Sequence, residues 1–326
     1  MNAARALAAV VVVTLAVAGP AQAKTKHVGT SFPAGFPVIV DASLGTPVLG
    51  FGSADGPVAH TPVVFVHGNN DTPYPTACNA GYGHMTDFAD YLLAHGYRAS
   101  ELWGLGYQGD QCDLLTDQTR RSAVGHTSLA SVPDLRAFVH AVLAYTGAEQ
   151  VDVVAHSLGG TITREWLRQD NAYGLVRNFV TIAGPHHGII NCSPSPLNYW
   201  QLAPFGGFTP SSAVCVELGA TDTPFLAALN AGDETPGPTR YLTFRATDSD
   251  LVYISAPDGL FPAVPALDRD GDPTDFSRSP ELAGATNIGL AGQSVYDPVA
   301  GSAHLGLWNS PEVWRTTLQF LRPSRG

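Results

Sequence analysis

Charge is scarce in this chain of 326 residues: 14% are Asp, Glu, Lys or Arg, and the 17 basic residues are outnumbered by 28 acidic ones. Together with a hydrophobic content of 44%, this excludes a disordered chain, which cannot bury enough apolar surface to offset its ordering entropy. The formal net charge of −11 argues against nucleic acid as a partner, because that binding depends on Lys and Arg displacing counterions from phosphates. It argues equally against an anionic membrane surface. Cysteine is sparse as well, and Cys78, Cys112, Cys192 and Cys215 form no Cys-x-x-Cys pair of the zinc or redox kind. There is no internal repeat and no low-complexity tract. Past the amino terminus no apolar run approaches the ~20 residues that span a bilayer, so stable membrane insertion is not expected.

What is abundant is Gly (34) and Pro (25), the mark of many constrained turns rather than of a helical bundle. The amino terminus carries a short address. Arg5 precedes the apolar run Ala6 to Ala18, and Ala21-Gln22-Ala23 supplies a small-x-small cleavage site, so residues 1–23 read as a secretory signal peptide cleaved after Ala23. The remainder, 24–326, reads as one extracellular domain acting as a monomer. In an oxidising compartment four cysteines imply two disulfides, with three possible connectivities. Cys78–Cys112 with Cys192–Cys215 is favoured because each pair closes one Gly/Pro-rich connection.

From Thr61 onward strands and helices alternate. Thr61 to His67 is a β-branched apolar run ending at Gly68, as expected of a parallel strand buried on both faces. Met85, Phe88 and Leu92 follow at helical spacing up to Gly96, and Glu101-Leu102-Trp103 begins the next strand. Leu135, Phe138, Val139, Val142 and Leu143 mark an amphipathic helix closed by Gly147. Val151–Ala155 is a strand, Ile162–Leu167 a helix and Asn178–Ala183 a strand; further strands are expected at Arg240–Phe244 and Asn287–Leu290, with a last helix over Pro311–Leu321. This alternation predicts an α/β fold with a mostly parallel central sheet and helices on both faces. Residues 185–238, rich in Pro, Gly, Ser and Thr, read as a cap-like insertion of short helices. Its aromatics, Tyr199, Trp200, Phe205, Phe208 and Phe225, either dock a substrate or cover the cap's own small core.

The chemistry lies at Ala155-His156-Ser157-Leu158-Gly159-Gly160, where a strand hands over to a helix. A sharp turn there crowds the backbone, so the residues two before and two after the serine must be small, and Ala155 and Gly159 are. Ser157 is the candidate nucleophile. A serine hydroxyl needs a base within hydrogen-bond reach and a carboxylate to hold that base in the right tautomer. In chain order both come later. His304, on an expected loop after the last strand, is the candidate base. Asp250 is preferred as the acid over Asp248, which shares the turn after strand 240–246. The backbone amides of Leu158 and Asn69 are the candidate oxyanion donors, with Gly68 allowing the close turn and His67 supporting it.

His67-Gly68, Ala-His-Ser-x-Gly at 155–159 and Ala-His-Leu-Gly-Leu at 303–307 resemble the secreted bacterial lipases and esterases of the α/β-hydrolase superfamily, class 2 type. Residues 61–192 further resemble extracellular poly(3-hydroxybutyrate) depolymerases that lack a separate substrate-binding domain. The resemblance implies an α/β-hydrolase fold and a Ser157–Asp250–His304 triad, with an acyl-enzyme on the path to hydrolysis of a hydrophobic ester, a polyester or an acylglycerol. It implies no cofactor. A binding protein that keeps the fold without the activity, and an acyltransferase using the same triad, are the alternatives.

Two weaker patterns carry little weight. Asp268-Arg269-Asp270-Gly271-Asp272 with Asp275 hints at a calcium loop, but Gly271 is fourth rather than sixth and the twelfth position is Ser279. An exposed acidic turn is expected instead. His186-His187 lacks a third ligand at metal spacing, and no metal site is expected.

Overall fold

Short β-branched runs bounded by Gly and Pro form the strands of one seven-stranded sheet. The computed structural model describes residues 27–81, 85–110, 112, 127–202, 207–254, 265–297 and 302–322; the 1–23 segment and Phe205 lie outside them. The strands are β1 Leu49–Phe51, β2 Val63–Val66, β3 Leu102–Gly106, β4 Val151–His156, β5 Val176–Ile182, β6 Arg240–Ala246 and β7 Thr286–Leu290. In space they run β1-β3-β2-β4-β5-β6-β7. Only β1 is antiparallel to its neighbour. Every residue of β2, β3 and β4 is buried, which is why these strands read as continuous apolar runs rather than as alternating ones.

The helices are α1 Met85–Ala94, α2 Ser128–Thr146, α3 Leu158–Asp170, α4 Ala213–Leu218, α5 Pro224–Leu229, α6 Ala303–Trp308 and α7 Pro311–Leu321. Helix α2 has a residue-level start and stop. The Thr127 hydroxyl accepts from Ala130 N, and Gly147 ends the helix at φ 70°, a left-handed value that glycine adopts without Cβ strain. Leu135, Phe138, Val139 and Val142 are its buried stripe. Helix α2 packs on α3, and α1 packs on α7.

From β2 the chain winds through α1 outward to β3, whereas from β4 it winds through α3 the other way to β5. Right-handed crossovers in opposite directions place the two helices on opposite faces. They also leave a crevice beyond the carboxyl ends of β2 and β4, the usual place for ligands in such sheets.

Residues 185–238 hold α4 and α5 with single 3-10 turns at Ile190–Cys192 and Tyr199–Gln201. Both helices are short, and α4 packs on α5 and α5 on α3. The described aromatics mostly cover core: Trp200, Phe208 and Phe225 pack against it, while the exposed apolar side chains of this segment among the described residues are Leu197, Leu202 and Val216. The cysteines pair as favoured, Cys78–Cys112 and Cys192–Cys215, with Cα separations of 4.8 and 5.5 Å. Among the described residues no helix is long and apolar enough to cross a membrane.

Candidate active site

Ser157 stands between the last residue of β4 and the first of α3, at φ 50° and ψ −124°. A left-handed φ at a residue with a Cβ costs roughly 1–3 kcal/mol and persists only where the surroundings enforce it. They do so here through Ser157 N–H donating to Ile182 O at 2.9 Å and Gly160 N–H donating to Ser157 O at 2.9 Å. The need for small neighbours is visible atom by atom. A methyl group on Gly159 would lie 2.6 Å from Val66 O and 2.7 Å from His67 O. Gly160, which the motif did not single out, is just as constrained, since its methyl would lie 2.6 Å from Thr181 Oγ1.

Left-handed backbone recurs along this edge. Of the six non-glycine residues with positive φ among those described, Asn70, Gln108, Ser157, Ala183 and Ser249 each follow the carboxyl end of a strand, β2 through β6 in turn.

After β6 the chain turns through Ser249 (φ 52°) and buries Asp250. One carboxylate oxygen of Asp250 accepts from Val252 N at 3.1 Å. His304 Nδ1 lies 3.1 Å from Oδ1 and 3.3 Å from Oδ2 of the same carboxylate. The two loops are tied by main chain, with Ala303 N–H donating to Ser249 O at 3.0 Å. Asp248 faces elsewhere and accepts from Gly292 N at 2.9 Å, a turn-capping role. His304 was expected on a loop. It is instead the second residue of helix α6, whose N-cap is Ser302.

Immediately after β2, His67 stacks on Tyr107 with ring centroids 4.0 Å apart. Its Nδ1 lies 2.8 Å from Gly68 O and its Nε2 3.0 Å from Tyr107 O, while the Tyr107 hydroxyl donates to His67 O. Gly68 thereby comes against Ser157, and Asn69 follows it at the rim of the crevice. Leu158 opens α3, so its N–H belongs to the first helical turn, which has no acceptor within the helix. The elbow, the Asn69 loop and the Asp250–His304 pair thus meet at one place. No hydrogen bond joins the Ser157 hydroxyl to His304; the contact of His304 with the elbow runs through its main chain, 3.1 Å from His156 Nε2.

A family model described as lipase (class 2) matches residues 60–256, more than half of the chain. The chain belongs to the lipase (class 2) family. The crystal structure of Bacillus licheniformis lipase BlEst2 in mature form is similar at a TM-score of 0.56 and 18% identity, over 85% of this chain and 98% of that one. The propeptide form of the same lipase matches at 0.55 and 18% identity, over 86% of this chain and 54% of that one. At such identity the likeness establishes the fold alone: this class 2 lipase has the α/β-hydrolase architecture, and by family it is a carboxylic ester hydrolase.

One residue at the site of this lipase escaped the sequence reading. His156, the last residue of β4, is fully buried, and its Nε2 lies 3.1 Å from His304 O. Burial, and next the nearby His304, hold its pKa well below the ordinary histidine range. The signal that would have found it was its place inside the motif, but its partner lies 148 residues away.

The other histidines and acids of interest are engaged in structure. His187 Nε2 lies 2.9 Å from Glu234 and its Nδ1 3.2 Å from Ser279 O, whereas His186 is buried. Asp268 accepts from the amides of Asp270 and Asp272, which makes the acidic run a capped turn. Among the described residues no group of three or more His, Cys, Asp or Glu could hold a metal ion. A cavity of about 370 Å³ opens beside the middle of α3, lined by Arg164, Tyr173, Glu234 and Tyr241 among others, and shares no residue with the site.

Proposed function

We propose that this class 2 lipase is a secreted serine esterase in which Ser157 is the nucleophile, His304 the general base and Asp250 the carboxylate that orients it. The observation that carries this reading is the Asp250–His304 pair, 3.1 Å apart, beside a serine held at a left-handed φ between strand and helix. Asp250 fixes His304 with its proton on Nδ1, leaving the Nε2 lone pair for the serine proton. Ser157 Oγ attacks the ester carbonyl as His304 takes its proton, and the carbonyl oxygen becomes an oxyanion received by the Leu158 and Asn69 amides. The oxyanion collapses, His304 passes the proton to the leaving alcohol, and an acyl-serine remains. Water then repeats the sequence: His304 removes its proton, hydroxide adds to the acyl carbon, and the acid leaves as Ser157 regains its proton.

The substrate is a hydrophobic aliphatic ester. The exposed Leu197 and Leu202, flanking the half-buried Tyr199–Trp200 ring pair, favour an extended substrate such as a polyhydroxyalkanoate over a soluble small ester. Two disulfides support export of the chain to an oxidising compartment.

The test is hydrolysis of amorphous poly(3-hydroxybutyrate) beside tributyrin and a long-chain triglyceride, with wild type and Ser157→Ala. Clearing of the polymer that disappears in the variant is the expected result. Glyceride hydrolysis without polymer clearing would make this a lipase without polyester activity. Absence of fluorophosphonate labelling at Ser157 in the folded protein would overturn the serine mechanism.

A further inference from the structure

His156 is not needed by any step above, yet it is buried at the site and bonded to the main chain of His304. It closes β4 in register with Ile182 of β5, and its ring is wholly buried, 4.9 Å from the ring of His304 and 5.7 Å from that of Trp308. A carbonyl oxygen only accepts, so the 3.1 Å contact between His156 Nε2 and His304 O requires the proton on Nε2. Nδ1 is then a bare lone pair. It is buried with no hydrogen-bond partner among the described residues, and it faces Gly68, where a methyl group would lie 3.1 Å away. A buried acceptor left unsatisfied is destabilising. An apolar side chain of similar shape would fill this volume without that cost, so packing does not account for a histidine here. The bond to His304 does.

We propose that His156 is a positioning residue: its Nε2–H, mounted on the rigid end of β4, holds the main chain of His304 and so fixes where the base stands relative to Ser157. The inference rests on the triad reading above. Asp250 restrains the His304 ring from one side by Nδ1, and His156 restrains its backbone from the other. The titratable groups facing His156 are His304 and His67, and both oppose its protonation. When His304 takes the serine proton, His156 therefore stays neutral and places no second positive charge beside the imidazolium.

The test compares wild type, His156→Leu, His156→Gln and Ser157→Ala on tributyrin, with thermal unfolding of each. Gln is the conservative replacement, because its Nε2 can occupy the place of the imidazole Nε2. His156→Leu is expected to fold and to lose roughly 10- to 100-fold in kcat, the scale of a base displaced by about an ångström. KM should stay within about twofold, and the acidic limb of the kcat/KM profile should shift. His156→Gln should recover most of the loss. Wild-type kcat in a folded Leu variant, or a Gln variant no better than Leu, would sink the proposal. Should both variants misfold, nitrogen NMR of 15N-histidine-labelled wild type decides: a neutral Nε2–H tautomer at and above the ordinary histidine pKa of about 6.5 is expected, and a protonated ring there or an Nδ1–H tautomer overturns it. Turnover retained in Ser157→Ala would refute the triad itself, whereas an inactive Ser157→Ala with a fully active His156→Leu refutes only the positioning role.

Discussion

Gly68 and Ser157 approach so closely that a methyl group on the glycine would lie 2.9 Å from the Cβ of the serine. The Asn69 loop, the proposed oxyanion loop, and the turn that carries Ser157 are thus in contact through a position where only hydrogen fits.

Substitution at this contact separates activity from stability. Gly68→Ala must move the serine or the Asn69 loop by a few tenths of an ångström, and kcat/KM on tributyrin is expected to fall roughly 10- to 100-fold with little change in melting temperature. Gly159→Ala meets two backbone carbonyls rather than a side chain, so it should destabilise by about 1–3 kcal/mol, read from urea unfolding. Equal loss of stability in both variants would contradict this division.

The two aspartates after β6 should differ sharply. Asp250→Asn leaves His304 Nδ1 without a charged partner and admits the wrong tautomer, so kcat is expected to drop by a factor on the order of 10³–10⁴. Asp248→Asn touches only the Gly292 turn and should stay within a few-fold of wild type. Comparable losses in both would reassign the acid.

Glu217 gives stability a pH dependence of defined sign. It accepts from the Ser128 and Leu129 amides at the start of α2, yet burial outweighs these bonds and pushes its pKa from 4.5 up to about 7. Between those values the unfolded chain has released the proton that the folded chain still holds. Stability therefore falls as pH rises from about 4.5 to about 7. Asp134, buried beside Asp41, is pushed from 3.8 to about 7 and acts in the same direction. Melting temperature measured against pH should decline less steeply in Glu217→Gln than in wild type; parallel curves would rule this out.

The Cys192–Cys215 bond links the turn after β5 to α4 across 23 residues. Replacing both cysteines by serine is expected to cost about 3 kcal/mol, observed as a lower denaturant midpoint. If α4 serves as a platform for the substrate, activity on polymer should fall before activity on tributyrin as temperature is raised.

Local pattern revealed most of the frame. The buried runs of β2, β4 and β5 and the stripe of α2 are written in consecutive residues, and the expected Glu101–Trp103 strand was displaced by only one residue because Glu101 turns its carboxylate to the amides of Ala59, His60 and Arg98. Strand β1 escaped because three residues on an antiparallel edge carry no readable period. At the site, chain order points to Ser157 and His304 as the proposed nucleophile and base, and of the two aspartates Asp250 lies against His304 while Asp248 lies against Gly292. That separation depends on which way a turn folds, which no spacing encodes. His156 was illegible as anything more than a motif letter, since its partner is a main-chain atom in a distant segment.

The left-handed residues that end β2 through β6 have a consequence for engineering this lipase. Unfavourable backbone is gathered on one rim of the sheet, with Asn171 at the end of α3 the remaining case among the described residues. Replacing Asn70 or Ser249 by glycine would relieve local strain and raise stability, but it would also release the loops that carry Asn69 and Asp250. Stabilising substitutions that leave turnover intact should therefore be sought at the opposite rim, where the strands begin and where none of the residues proposed to act on the ester is anchored.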